Sequence, residues 1–113
     1  MSAPRRIQEV AWTDDAGGSA VWLRTGPVET GSYVAFVAAN SAAIDRDLSH
    51  YIELDAQRIA AFDAVLDVEE GELDNRLTLR VKECIDHSGE IVLLFATASE
   101  RTEVAKFIRN GLK

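Results

Sequence analysis

The chain has 113 residues, 47% of them apolar and 27% charged, which suits one globular domain (residues 1–113) with one core and excludes general disorder. No apolar run approaches the roughly 20 residues that span a bilayer. The net charge of −7 is concentrated: residues 45–75 carry ten acids against Arg46 and Arg58, a balance of −8, while the rest carries nine acids and ten bases, a balance of +1. Such a field repels nucleic acid and membrane surfaces and favours basic protein partners.

Residues 7–13 alternate and read as a strand. The stretch DDAGG (14–18) supplies residues that tolerate a tight hairpin turn, and 19–25 form the return strand. Val21 and Leu23 share one face of that strand, with Trp22 on the other beside Ala20 and Arg24. Pro27 and two glycines make 25–31 a loop. YVAFVAA (33–39) is apolar on both faces, as a central strand is, and 40–49 is polar and irregular. A short strand, 50–54, follows.

The next stretch is ambiguous. In DAQRIAAFDAVL (55–66), Ile59, Phe62, Val65 and Leu66 are spaced as one helical face, with alanines adding propensity and Asp55 as N-cap. This predicts a helix, because strand alternation fails there. The acidic stretch DVEEGELD (67–74) then makes a loop broken at Gly71. Strands 76–85 and 90–96 flank the turn DHSG. A final helix starts at Thr97, whose spacing to Glu100 is that of a capping box, and presents Val104, Phe107, Ile108 and Leu112.

The predicted fold class is therefore α+β: an antiparallel sheet of five to six strands, open or strongly curled, with two helices, in the order β-β-β-β-α-β-β-α. A shift of 42 residues aligns Asp55 with Thr97, Phe62 with Val104, Val65 with Phe107 and Leu66 with Ile108. That would be a duplicated β-β-α unit, though any two capped amphipathic helices after hairpins resemble each other in this way.

Few residues point to chemistry. The acidic loop misses the cation-loop pattern, since taking Asp67 as position 1 places Gly71 at position 5 and Leu73 at position 7. Cys84 and His87 have half of a zinc spacing with no second half. Asp86, His87 and Ser88 are adjacent in a turn, which is not the geometry of a catalytic triad. No phosphate-cradling glycine motif is present. Catalytic residues, metal ligands and cofactors are accordingly expected to be none. The single cysteine permits no internal disulfide, and no apolar segment follows the N-terminal arginines, so a cytoplasmic location is expected.

The reading that follows is a non-enzymatic protein-interaction module of inhibitor, immunity or adaptor type. It would present Asp63, Asp67, Glu69, Glu70, Glu72 and Asp74, with Asp45 and Asp47 nearby, to a basic surface on a partner. Trp22, a tryptophan on a polar face, joins this set as an interface anchor. The alternative is a small-ligand-binding or catalytic α+β domain with His50, Glu53 or His87 in its pocket. A third reading is a homodimer built through an uncovered sheet face.

Overall fold

The computed structural model describes residues 4–15, 18–26, 32–39, 50–55 and 59–112. The expected irregular stretch 40–49, with Asp45 and Asp47, lies outside the described residues, as do the hairpin tip at 16–17 and most of the loop at 25–31. The strands are β1 (Arg5–Arg6), β2 (Glu9–Asp15), β3 (Gly18–Arg24), β4 (Tyr33–Ala39), β5 (His50–Leu54), β6 (Ile59–Phe62), β7 (Val65–Glu70), β8 (Arg76–Val81) and β9 (Glu90–Leu94). A 3₁₀ turn, Leu73–Asn75, joins β7 to β8, and helix α1 (Ala98–Gly111) follows β9.

The class is α+β with mostly antiparallel sheets, but the described residues form nine strands in two sheets and one helix, not five to six strands with two helices. The first sheet is an antiparallel meander, β2-β3-β4-β5-β6. The second has the order β1-β9-β8-β7, with β1 parallel to β9. Their edges are shared in an informative way. The run from β1 to β2 lies on one edge of each sheet, and the run from β6 to β7 lies on the opposite edges. At the first corner the Ile7 amide donates to Leu94 of β9 and the Gln8 amide to Arg24 of β3. Strands that switch sheets in this way make corners, and the sheet curls nearly into a barrel.

The apolar faces share one core. Val21, Leu23, Val34, Phe36, Ile52 and Leu54 come from the first sheet, Val68, Leu77, Leu79, Ile91 and Leu93 from the second, and Val104, Ala105 and Ile108 from α1. The helix packs against β4, β7 and β8. Its N-cap is as expected: Thr97 Oγ1 accepts from the Glu100 amide at 3.1 Å.

The expected helix over 55–66 is the main correction. Residues 59–62 pair with β5 in the register Leu54↔Ile59, Glu53↔Ala60, Ile52↔Ala61 and Tyr51↔Phe62. Asp55 and Asp63 bracket that strand at φ 52° and 53°, in the left-handed region that Asp tolerates better than most residues. Asp55 is not a helix cap. Its carboxylate takes a bidentate pair from Arg5 at 3.0 and 3.2 Å and also accepts from the Tyr33 amide. Alanine propensity is worth only tenths of a kcal/mol per residue, roughly, and edge pairing with burial overrides it. With one helix instead of two, the 42-residue duplication has no structural counterpart. Strand β8 also ends at Val81, so Ile85 belongs to the following turn, where it is buried.

The second corner, Asp63–Ala64, is pinned by His50. The Asp63 amide donates to the His50 carbonyl at 3.0 Å, and the His50 amide donates to Asp63 Oδ1 at 3.3 Å. The Val65 amide donates to His50 Nε2 at 3.0 Å, so the ring proton sits on Nδ1, which lies 3.7 Å from Asp63 Oδ1. The ring stacks on Phe36 at 5.1 Å and is 4% exposed. Burial lowers its pKa below the ordinary 6.5; Asp63 opposes that, Lys82 adds to it and the Gly111 backbone opposes it.

Two predictions follow from this corner. A histidine whose pKa is lowered on folding contributes stability that is complete above the unfolded value near 6.5 and is lost as pH falls toward the folded value. Urea unfolding should therefore show wild-type stability declining from pH 7.5 to pH 5.5, with His50→Gln less stable overall but flatter across that interval. An equally steep decline in the variant would remove His50 as the cause. At the helix end, a Cβ on Gly111 would lie 2.8 Å from Phe36 Cε1 and 3.3 Å from the Ala38 Cβ. Phe36 is fully buried and cannot yield, so Gly111→Ala should cost about 1–3 kcal/mol in the same assay.

Candidate functional site

The acidic stretch is not a loop. Residues 65–70 form β7, an edge strand of the second sheet, and Gly71–Asn75 turn the chain back into β8. Asp74 and Asn75 both adopt positive φ, 60° and 51°, which these two residue types accommodate at the least cost among side-chain-bearing residues. Asn75 Nδ2 lies 3.4 and 3.3 Å from the carbonyls of Phe95 and Ala96, so the turn is tied to the segment that leads into α1.

The acids expected to bind a partner divide into three groups. Asp63 belongs to the corner with His50 and is half-buried. Glu70 is a clamp on the helix: Oε2 is 2.8 Å from Arg109 Nη1, Oε1 is 3.3 Å from Arg101 Nε, and Thr102 Oγ1 donates to Oε1 at 3.0 Å. The Arg109 guanidinium holds the Glu70 carboxyl below its usual range; partial burial works against this, and Thr102 and the Arg101 charge reinforce it. These two acids therefore leave the proposed contact surface, because folding already uses their charge.

Asp67, Glu69, Glu72 and Asp74 remain. All four are exposed, and none makes an ion pair among the described residues. Asp67 Oδ1 accepts from the Val68 amide at 2.8 Å, capping a backbone donor of the strand. On the same edge Arg109 reaches the Val68 carbonyl at 3.5 Å, and Arg101 donates to the Gly71 carbonyl at 2.8 Å. Side chains thus occupy groups that would otherwise template another strand, which protects the edge from aggregation. Two large apolar side chains flank the acids, Leu66 at 58% exposure and Leu73 at 72%. Sequence reasoning missed both, assigning Leu66 to a helix face and Leu73 to a loop. A bulge between Val65 and Asp67 lets Val65 and Val68 both face the core and leaves Leu66 and Asp67 outside.

Trp22 lies far along the first sheet from these acids, on its outward face. Its Nε1–H donates to Thr13 Oγ1 at 3.3 Å, and its ring is 5.6 Å from that of Tyr33, tilted by 42°. In register beside it run Ala35 of β4 and Glu53 of β5. Glu53 is 4% exposed, although it points away from the core, and accepts a hydrogen bond from the Tyr33 hydroxyl. Tyr51 is also hydrogen-bonded to Glu53; burial first, then that carboxylate, raises its pKa.

His50, Glu53 and His87, each expected as a candidate lining residue of a ligand pocket, lie apart. His50 faces inward, Glu53 faces outward on the same strand, and His87 sits in the β8–β9 turn. That turn borders a shallow cleft of about 400 Å³ with Ile59, Glu83, Cys84, Asp86 and Ser88. Among the described residues no group of three or more His, Cys, Asp or Glu is arranged to hold a metal ion. No helix among them is long and apolar enough to cross a membrane. Protein-family models, curated proteins and solved structures provide no match to this chain.

The division of the acids is testable by stability. Glu70→Gln should cost about 1 kcal/mol, since it breaks a partly buried, multiply hydrogen-bonded pair, whereas Glu69→Gln should stay within about 0.5 kcal/mol of wild type. The Glu70 contribution is present above the ordinary 4.5 and is lost as pH falls through its lower folded value. Urea midpoints at pH 7 and pH 3.5 check both statements. Equal effects of the two substitutions would contradict the division.

Proposed function

We propose that the protein is a non-enzymatic interaction module whose β7 edge and following turn engage a basic surface on a protein partner. The supporting observation is the exposed set Asp67, Glu69, Glu72 and Asp74, free of ion pairs among the described residues and flanked by the exposed Leu66 and Leu73. Unpaired carboxylates attract a cationic surface and orient it during encounter, while leucines at both ends supply apolar area to bury once contact is made. Large side chains held in water at 58% and 72% exposure gain from such burial. An inhibitor, immunity-type protein or adaptor works by this division of labour. The solvated-edge alternative explains the charge and the backbone caps, but it gives no reason for the leucines.

The test is affinity capture from source-cell lysate with wild type and with a variant carrying Asp67→Asn, Glu69→Gln, Glu72→Gln and Asp74→Asn together. Glu70 and Asp63 stay intact, so the fold is preserved and the thermal midpoint should match. The wild type should retain a partner that elutes as ionic strength rises, and the variant should lose it. Retention of the same partner by both, insensitive to salt, would place binding elsewhere.

A further inference from the structure

We propose that the outward face of the first sheet binds a quaternary ammonium group, seated on the rings of Trp22, Tyr33 and Tyr51 over the Glu53 carboxylate. This site is independent of the β7 surface and lies on the other sheet.

Glu53 is 4% exposed on a face that points away from the core, and among the described residues no cation stands within ion-pair distance of it. A buried carboxylate with no ion-pair partner among the described residues is costly, and tyrosine hydroxyl bonds offset that cost only in part. Among the described residues the groups bonded to it are aromatic, and its negative potential reaches outward past them. The Tyr33 ring lies 5.6 Å from Trp22 while its hydroxyl reaches Glu53, so it spans from β3 to β5 above Ala35, which is fully buried. Tyr51, two residues before Glu53 on the same face, is hydrogen-bonded to the same carboxylate.

The platform is held before any ligand arrives. Thr13 fixes the indole through its N–H, and Glu53 fixes Tyr33 through its hydroxyl. Trp22 remains 36% exposed, so a ring face of the best cation–π residue type is open to water. The neighbouring cation, Arg24, is engaged by Glu9 at 3.2 Å and by the Gly26 carbonyl at 2.7 Å, which reduces its repulsion.

The same geometry selects the kind of cation. Glu53 already accepts from two tyrosines and is closed to solvent, and ring faces accept hydrogen bonds poorly. A primary ammonium or a guanidinium would lose donors to water that nothing here replaces. A quaternary ammonium has no N–H to satisfy, and its methyl groups suit aromatic faces.

The probes are choline, its uncharged carbon isostere 3,3-dimethylbutan-1-ol, and a short peptide carrying N-trimethyl-lysine, each titrated into the full chain with Trp12→Phe so that fluorescence reports Trp22 alone. Choline or the peptide should change the signal saturably, and the alcohol should bind about tenfold more weakly or worse. Glu53→Gln, which keeps the tyrosine acceptor and removes the charge, should weaken binding by about tenfold. Trp22→Leu, followed by calorimetry, should abolish it, which keeps the test decisive if Glu53→Gln fails to fold. Tighter binding of the peptide assigns the cation to a modified protein, and tighter binding of choline assigns it to a free metabolite. No saturable response to either cation, equal binding of the alcohol, or unchanged affinity in Glu53→Gln overturns the proposal.

Discussion

The buried imidazole of His50 joins three parts of the molecule. Its backbone belongs to β5, its Nε2 receives the Val65 amide at the start of β7, and its ring lies on Phe36, against which the C-terminal end of α1 closes at Gly111. The chain changes sheets at this corner, so the angle between the sheets depends on it. A neutral ring can both accept at Nε2 and donate at Nδ1, and protonation would remove the acceptor that Val65 needs. The corner is therefore stable only while the ring stays neutral, and burial keeps it so.

Charge elsewhere serves the same closure. Arg5, on the two-residue strand β1, reaches Asp55 at the end of β5, and this ties the N-terminal run to the far side of the first sheet. Glu70 ties β7 to α1 through two arginines. Acidic residues in this chain thus have three kinds of role. Some take up positive φ at corners and turns, some pair with arginines to lock elements together, and some stay in water along the β7 edge. Counting carboxylates in a row cannot separate these roles, because the distinction lies in what stands across from each one.

Several features were legible in the residues. Alternation marked β2, β3 and β8, apolarity on both faces marked β4 and β9, and Thr97 with Glu100 marked the start of α1, because these signals are local. The stretch 55–66 misled for an equally physical reason. Three alanines and apolar residues at helical spacing are real helical preferences, but small in energy. Asp55 and Asp63 in left-handed conformations, with Ile59 and Ala61 turned to the core, cost the chain little and allow a ladder with β5. Leu66 shows the cost of the other choice: a residue that would have completed a helical stripe is left in water.

By itself the sequence determined the class of structure, the alternating strands, the capped helix and the concentration of charge, since each depends on residues near one another in the chain. Only the tertiary structure decided that the sheet splits in two and curls at two corners. It alone decided that Glu70 and Asp63 are engaged within the fold, that Asp67, Glu69, Glu72 and Asp74 remain in solvent, and that Tyr33 and Tyr51 meet at Glu53 with Trp22 beside Tyr33. Those outcomes depend on register. Shifting a strand by one residue exchanges its inward and outward faces, and strand partners as far apart in the chain as Arg5 and Leu93 set the register here.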